Sequence, residues 1–168
     1  QAAAYNSTTY PELSYYSHQV FTTTIYDGNS EFSFDTQDIG KLDAGANPWP
    51  QAVVNSSIVY GKPVKTTTAT EGFLQPTNTY SFYDEKGRVI QVRVEDGRKR
   101  ISTTTSRYDF SGKVIASYQR QYVPDHVQGG PLTVTVLTKM LYDAGGRLLK
   151  TWKKINDGPT DKLIADNS

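Results

Sequence analysis

The chain has 168 residues, of which 36% are hydrophobic, and its formal net charge is +1. This length is sufficient for one domain with a core or for a section of a larger protein, and the small net charge excludes an overall field that would attract nucleic acid or an anionic membrane. The absence of cysteine excludes disulfides, thiolate metal sites and a cysteine nucleophile. No apolar run approaches the length of a transmembrane helix, so we expect no membrane insertion by this segment.

The N-terminal part, residues 1–75, is predicted to be a divergent β-rich segment. It begins with Gln1 rather than Met, and we interpret the chain as a fragment or a processed product. Residues 35–52 contain Gly, Asn and two Pro around Trp49, which is typical of a loop. Runs rich in Tyr, Thr, Val and Phe favour strands. Four such strands are predicted, at residues 13–26, 32–34, 53–60 and 64–70.

The C-terminal part, residues 76–168, has clearer alternation. Ile90, Val92 and Val94 share one face of a predicted strand. Asp96-Gly97 is a two-residue hairpin signal, and residues 123–131 are predicted to be a longer loop. Strands are predicted at residues 78–83, 88–95, 98–108, 113–122, 132–142, 147–155 and 163–165.

No segment shows a sustained helical period with caps. We therefore predict an all-β fold, an antiparallel meander of hairpins that forms a twisted β-strip without substantial helix. The two parts are expected to be continuous with each other as one repeat-type domain.

One motif occurs three times in the C-terminal part: Tyr-Asp, two free positions, Gly, a cation and two aliphatic residues. Asp is favoured at the first position of a type I turn, where its carboxylate accepts backbone N–H groups. Gly four positions into the motif's turn can adopt the left-handed conformation of a three-residue hairpin loop. The motif is therefore predicted to be a structural hairpin turn. Its residues are Tyr83, Asp84, Gly87 and Arg88; Tyr108, Asp109, Gly112 and Lys113; and Tyr142, Asp143, Gly146 and Arg147.

These residues resemble the YD-repeat, or RHS (rearrangement hotspot), family, especially the large YD-repeat proteins of Bacteroidetes-type bacteria. The resemblance covers roughly residues 78–156, and in the first 75 residues it rests only on Thr24-Ile25-Tyr26-Asp27. It implies a segment of a long β-strip that forms a hollow shell around a toxin or effector at the C-terminal end of the full protein. It also implies a secreted or cell-surface location, with the remainder of the repeat chain and an enclosed effector domain as partners.

No pattern of catalytic residues is evident. The sequence has no Gly-Xaa-Ser-Xaa-Gly elbow, phosphate-binding loop or His-Glu-Xaa-Xaa-His motif, and His18 and His126 have no metal-like spacing. The fixed position of each motif Asp before a turn Gly favours turn capping over catalysis or Ca²⁺ binding. We therefore expect no enzyme activity, no metal and no cofactor.

Two further features leave alternatives open. Trp49 and Trp152 are possible ligand contacts, since aromatic platforms bind sugars, and they support an alternative function as a surface carbohydrate-binding or adhesion module; the other possibility is that both pack against the sheet. The basic clusters, Arg98–Arg100 and Lys150 with Lys153 and Lys154, are interpreted as solvated strand faces rather than as a nucleic-acid site, because Asp and Glu lie nearby.

Overall fold

Nine strands form one antiparallel sheet in which every strand pairs with its neighbours in the chain, in the order β1 to β9. The structure is a computed structural model that describes residues 21–28, 32–43, 45–69, 75–126 and 130–167. The strands are β1 Thr22–Tyr26, β2 Pro63–Thr68, β3 Thr77–Tyr83, β4 Val89–Glu95, β5 Ile101–Tyr108, β6 Val114–His126, β7 Gly130–Tyr142, β8 Leu148–Ile155 and β9 Lys162–Asp166. The helical content of the described residues is one 3-10 turn, Ile39–Lys41. The predicted all-β antiparallel meander is confirmed.

The sheet contains four copies of a two-strand unit. In β1–β2, β3–β4, β5–β6 and β7–β8 the pairing register shifts by one residue at the tyrosine that ends the first strand. That tyrosine pairs with the first apolar residue after the turn, and the second apolar residue has no partner. These unpaired bulge residues are Val64, Ile90, Ile115 and Leu149. The first three are buried, with exposed fractions of 5%, 1% and 0%. The motif therefore has two apolar residues because one pairs and the next fills a bulge.

One face of the sheet is covered by the segment between β1 and β2. Phe32 packs on Tyr80 with ring centroids 4.3 Å apart, and Phe34 packs on Phe82 at 5.8 Å. Leu42, 1% exposed, joins the same core from this segment. We call the sheet face that carries Tyr80, Phe82, Tyr118 and Leu137 the covered face, and the opposite one the uncovered face.

The prediction that Ile90, Val92 and Val94 share a face is wrong, because Ile90 fills the bulge and joins the buried core with Tyr80 and Phe82. From Gln91 onwards β4 alternates as predicted, but the covered face carries its polar residues. Gln91 lies there and is 1% exposed, while Val92 and Val94 lie half-buried on the uncovered face. The Gln91 amide is fully used: its Oε1 accepts from Asp35 N at 3.0 Å, and its Nε2 donates to Asp35 O and Thr105 Oγ1. These bonds compensate the desolvation of the amide, so a glutamine is stable in the core.

Three predictions of local structure are wrong. Residues 32–34 and 53–60 are not strands, because β1 pairs with β2 and the intervening chain lies over the sheet instead of adding to it. Most of the predicted loop at 123–131 is strand, because β6 continues to His126 and β7 starts at Gly130. A register irregularity between Val123 and His126 accommodates Pro124, which cannot donate to a ladder. Residues 13–20 of the first predicted strand lie outside the described residues.

Candidate functional site

The first feature of interest is the turn at Asp84, which has the geometry that the motif predicts. Asp84 N donates to Arg88 O at 3.0 Å, and Gly87 N donates to Asp84 O at 2.9 Å. Oδ1 of Asp84 accepts from the backbone N–H groups of Lys86 and Arg88, both at 2.9 Å, while Oδ2 accepts from Arg88 Nε at 2.7 Å. Gly87 has a φ of +73°, the left-handed conformation that glycine adopts without strain. The carboxylate is thus occupied by its own turn.

The other two motif turns repeat this arrangement. Asp109 N donates to Lys113 O at 2.9 Å, and Asp143 N donates to Arg147 O at 3.0 Å. Burial acts to raise the pKa of Asp84 and of Asp109, but hydrogen bonds from their turns outweigh it and the pKa of each is lowered. The backbone N–H of Arg147 is the main cause of the lowered pKa of Asp143. All three carboxylates are therefore ionised turn caps at neutral pH.

Each motif tyrosine connects its turn to the preceding unit. Tyr108 Oη donates to Val89 O at 2.7 Å, and the Arg88 guanidinium lies 4.7 Å from the centre of the Tyr108 ring. Tyr142 Oη donates to Val114 O at 3.1 Å, with Lys113 Nζ 6.0 Å from the ring centre. The cation and the first apolar residue of one unit thus form the seat for the tyrosine of the next, through a hydrogen bond and a cation–π contact.

A fourth copy of the turn is divided between two distant parts of the chain. Asp27 N donates to Lys62 O at 3.3 Å, and Gly61 N donates to the Asp27 carboxylate, although these residues are 34 positions apart. Gly61 has a φ of +68°. Tyr83 Oη then donates to Pro63 O at 2.7 Å, with Lys62 Nζ 5.9 Å from its ring centre. Gly61 and Lys62 are therefore the missing glycine and cation of the Tyr26-Asp27 motif.

The sequence Tyr26-Asp27-Gly28-Asn29 predicts a tight turn, and this prediction is wrong because Asp27 bonds to Gly61 and Lys62 instead. Residues 28–60, which we call the insertion, separate the Asp of the turn from its Gly. The sequence contains the signal, since Gly61-Lys62-Pro63-Val64 has the Gly, cation and two apolar residues of the motif's second half. Asp27-Gly28 obscured it, because that pair is itself typical of a short turn.

The turn between β4 and β5 was also predicted incorrectly. It is not a two-residue loop at Asp96-Gly97: Lys99 N donates to Asp96 O at 2.9 Å, and Asp96 N donates to Arg100 O at 3.1 Å. Arg100 Nε donates to the Asp96 carboxylate at 2.6 Å, as Arg88 does to Asp84. Lys99 occupies the glycine position with a φ of +59°. The Asp and the cation four residues apart, rather than the Gly, are the sequence signal that these turns share.

The insertion crosses the turn end of the sheet from β7 towards β2. Asn47 Nδ2 donates to Met140 O at 2.6 Å, Gln51 N donates to Tyr108 O at 2.8 Å, and Ser56 N donates to Tyr83 O at 2.8 Å. These acceptors lie on β7, β5 and β3, and the chain then reaches Lys62 at the start of β2. The insertion is thus hydrogen-bonded to successive units of the sheet.

Arg120 on the covered face of the sheet forms ion pairs with two aspartates of the insertion, a contact that we call the Arg120 clamp. Arg120 Nε donates to Asp38 Oδ2 at 3.1 Å, and Arg120 Nη2 donates to Asp35 Oδ2 at 2.5 Å. Burial raises the pKa of Asp38 and outweighs the opposing charge of Arg120. Burial also acts upwards on the pKa of Asp35, but hydrogen bonds from Gln37 and the charge of Arg120 outweigh it and lower that pKa. No local pattern predicted this cluster, because Arg120 lies more than 80 positions from both aspartates in the sequence.

The two tryptophans have different surroundings. Trp49 lies on the insertion, beside the bridge between Pro50 and Asp109, and its side chain is exposed with a residue exposure of 72%. Trp152 lies half-buried on β8, directly opposite Lys139 of β7, and lines a cleft under the insertion. Trp49 is thus exposed, whereas Trp152 forms part of the surface of a cleft.

Three of the six side chains in the basic clusters form ion pairs with carboxylates. Arg100 Nη2 lies 2.5 Å from Asp96 Oδ2, and Lys150 Nζ lies 3.0 Å from Asp166 Oδ2. Lys154 Nζ lies 3.5 Å from Asp161 Oδ1. These pairs reduce the local positive field that a nucleic-acid site would need.

Neither a search for metal-binding and membrane-spanning features nor comparison with known proteins assigns a function to the described residues. Within the described ranges, no three His, Asp or Glu side chains are placed to hold a metal ion, and His18 lies outside those ranges. No helix in that part of the chain is long and apolar enough to cross a membrane. The chain matches no protein-family model, no curated protein and no solved structure.

Proposed function

We propose that this chain is a non-enzymatic structural repeat segment of a large secreted or cell-surface YD/RHS-repeat protein, in which it acts as scaffold or shell wall. The proposal is supported by the four Tyr-Asp turns, in each of which the carboxylate accepts from a backbone N–H group of the turn. The carboxylates of Asp84 and Asp143 also bond the following arginine. Groups engaged in this way are not free to transfer protons or bind substrates. The role that fits them is mechanical.

The observation that carries the proposal is the seat between consecutive units. Arg88 and Val89 receive Tyr108, and Lys113 with Val114 receives Tyr142. The last such seat, formed by Arg147 and Leu148, faces outwards: the Arg147 side chain is 86% exposed, and Leu148 O accepts a 3.4 Å bond from Asn167 Nδ2. Because Arg147 is exposed, it is available to contact the tyrosine of a further Tyr-Asp unit, and the remainder of the repeat chain is therefore the proposed partner.

The two faces of the sheet support a division of roles. The insertion occupies the covered face, whereas the uncovered face presents half-buried, mostly small side chains in cross-strand rows. One such row consists of Val92, Thr104, Gln119 and Val136. In the proposed shell this smooth face lines the interior, against the effector that the family resemblance implies, and the insertion lies outside.

The native protein provides the test. An antibody raised against this chain is applied to cytosolic, surface and culture-medium fractions of the source cells, and the captured species is sized and peptide-mapped. We expect a species much larger than 18.7 kDa in the surface or medium fraction, with peptides that carry further Tyr-Asp, Gly and cation motifs. A cytosolic species of the size of this chain would contradict the proposal.

A further inference from the structure

A cleft of about 270 Å³ lies where the insertion meets the last hairpins of the sheet. Trp152 and Leu141 provide its apolar surface from β8 and β7, and Gly45 and Ala46 of the insertion border it with almost no side-chain bulk. Lys139 is the direct cross-strand partner of Trp152, so its side chain lies beside the indole on the same face. The cleft therefore combines an accessible aromatic surface with adjacent polar groups.

The two charged residues that line the cleft, Lys139 and Asp161, belong to an ion-pair network with no net charge. Lys139 Nζ lies 3.1 Å from Asp43 Oδ2 and also contacts the Asp161 carboxylate. Lys154 Nζ is 3.5 Å from Asp161 Oδ1. Two lysines and two aspartates give a sum of zero. A ligand with a full charge of either sign would therefore meet no uncompensated counter-charge here.

The carboxylate of Asp161 is engaged by both lysines. Its Oδ1 is buried and lies 3.5 Å from Lys154 Nζ, and its Oδ2 contacts Lys139 Nζ. An entirely apolar ligand would cover this ion pair without offering it a hydrogen bond, which is unfavourable, whereas a hydroxyl group can accept from an ammonium and donate to a carboxylate. The cleft is also at the small end of the usual range for ligand pockets, so it fits one ring rather than an extended ligand.

We propose that this cleft binds one neutral pyranose ring of a saccharide, with a C–H face of the ring on the Trp152 indole and its hydroxyl groups against Asp161 and Lys139. A pyranose supplies both an apolar face and several hydroxyl donors, which are the two properties that the cleft selects. Trp49 does not line the cleft and has no part in the site. The proposal is independent of the scaffold function, since either holds without the other.

The test is isothermal titration calorimetry with the intact chain, and tryptophan fluorescence is a second readout for the variants that keep Trp152. The probes are methyl pyranosides of glucose, galactose, mannose and xylose and their neutral oligosaccharides, with sulfated heparin as the charged comparison. We expect saturable binding of at least one neutral probe. Loss of the stacking surface in Trp152→Ala should weaken it at least about tenfold. Trp49→Ala is the matched control and should bind like the wild-type chain.

A second variant separates binding from folding. Ala46 is exposed on the insertion, so Ala46→Trp should fill the cleft without disturbing the sheet, and should abolish binding at an unchanged melting temperature. Trp152→Phe should keep an aromatic face and retain binding. The proposal is overturned if no neutral probe shows saturable binding at probe concentrations up to well above about 1 mM. It is also overturned if only heparin binds, or if Ala46→Trp binds the neutral probes as well as the wild-type chain does.

Discussion

The left-handed position of the turns can be tested by exchanging residues between two of them. Gly112 occupies that position at φ +90° in the Asp109 turn, and Lys99 occupies it at φ +59° in the Asp96 turn. A Cβ added at Gly112 would meet no atom within 4 Å, so Gly112→Ala reports the backbone conformation alone. Lys99 is exposed, and Lys99→Gly is the reverse change in an equivalent turn.

The expected magnitude follows from two opposing effects. A left-handed conformation costs an L-residue about 1–2 kcal/mol, while replacing Gly by Ala restricts the unfolded chain and restores about 0.4–1 kcal/mol. Gly112→Ala should therefore lower the free energy of unfolding by about 1 kcal/mol, and Lys99→Gly should raise it by up to a similar amount. In a chain of this size, about 1 kcal/mol corresponds to roughly 2–4 °C in melting temperature.

The assay is urea unfolding and thermal melting followed by circular dichroism, with both variants and the double variant. The two changes lie in separate turns, so their effects should add. If Gly112→Ala is as stable as the wild-type chain, or if Lys99→Gly is less stable, then the two turns do not share the left-handed position and are not equivalent.

Three further perturbations address the covered face and the turn carboxylates. Arg120→Ala should cost about 3 kcal/mol in urea unfolding, because it leaves the carboxylate of Asp38, whose side chain is 4% exposed, buried without its cation. Thr105→Val should lower the free energy of unfolding by about 1–2 kcal/mol, because Thr105 Oγ1 accepts a buried hydrogen bond from Gln91. Thr103→Val should be neutral or stabilising, because the buried Oγ1 of Thr103 makes no hydrogen bond among the described residues. Acid should destabilise the fold through carboxylates such as Asp84, because the folded-state pKa of Asp84 lies below the unfolded value of 3.8. The stabilisation is complete above the unfolded pKa and is lost as the pH falls through the folded-state pKa. Urea unfolding at about pH 7 and about pH 3 will measure this loss.

Each of these predictions has a control. Arg100→Ala removes an exposed partner of Asp96 and should cost less than about 1 kcal/mol, so a loss equal to that of Arg120→Ala would argue against a buried clamp. A larger loss in Thr103→Val than in Thr105→Val would show that the hydrogen bonds of the covered face are assigned incorrectly. Asp84→Asn should flatten the acid dependence, and an unchanged slope would remove this carboxylate from the explanation.

The strands and turns of the C-terminal half could be predicted because their determinants are local. An Asp, a left-handed position and a cation within five residues specify a hairpin wherever they occur, and the Tyr108 and Tyr142 turns were found in this way. The Asp96 turn follows the same rule, but Asp96-Gly97 is also typical of a shorter loop, and the prediction made there was wrong. The shared Asp96–Arg100 spacing was present in the sequence and would have been the better guide.

The covered face could not be predicted because its determinants are distant in the chain. Alternation in β4 separates Gln91 from Val92 but does not say which of them is covered. That depends on Asp35, which lies 56 positions from Gln91 and satisfies its amide. The Arg120 clamp and the cleft at Trp152 likewise exist only because the insertion folds back over the sheet.

The divided turn at Asp27 shows how the architecture can acquire new parts. An ordinary Tyr-Asp turn holds two residues between its Asp and its Gly, and here residues 28–60 take their place while the bond from Asp27 N to Lys62 O and the left-handed glycine are kept. Such lengthening is roughly four doublings of the loop, for a closure entropy of only about 2.5 kcal/mol. Burial of one large apolar side chain such as Leu42 contributes about 1.5–3 kcal/mol and offsets most of it. Each turn along this edge is therefore a site at which evolution or protein engineering can insert a module without changing the pairing register of the strands.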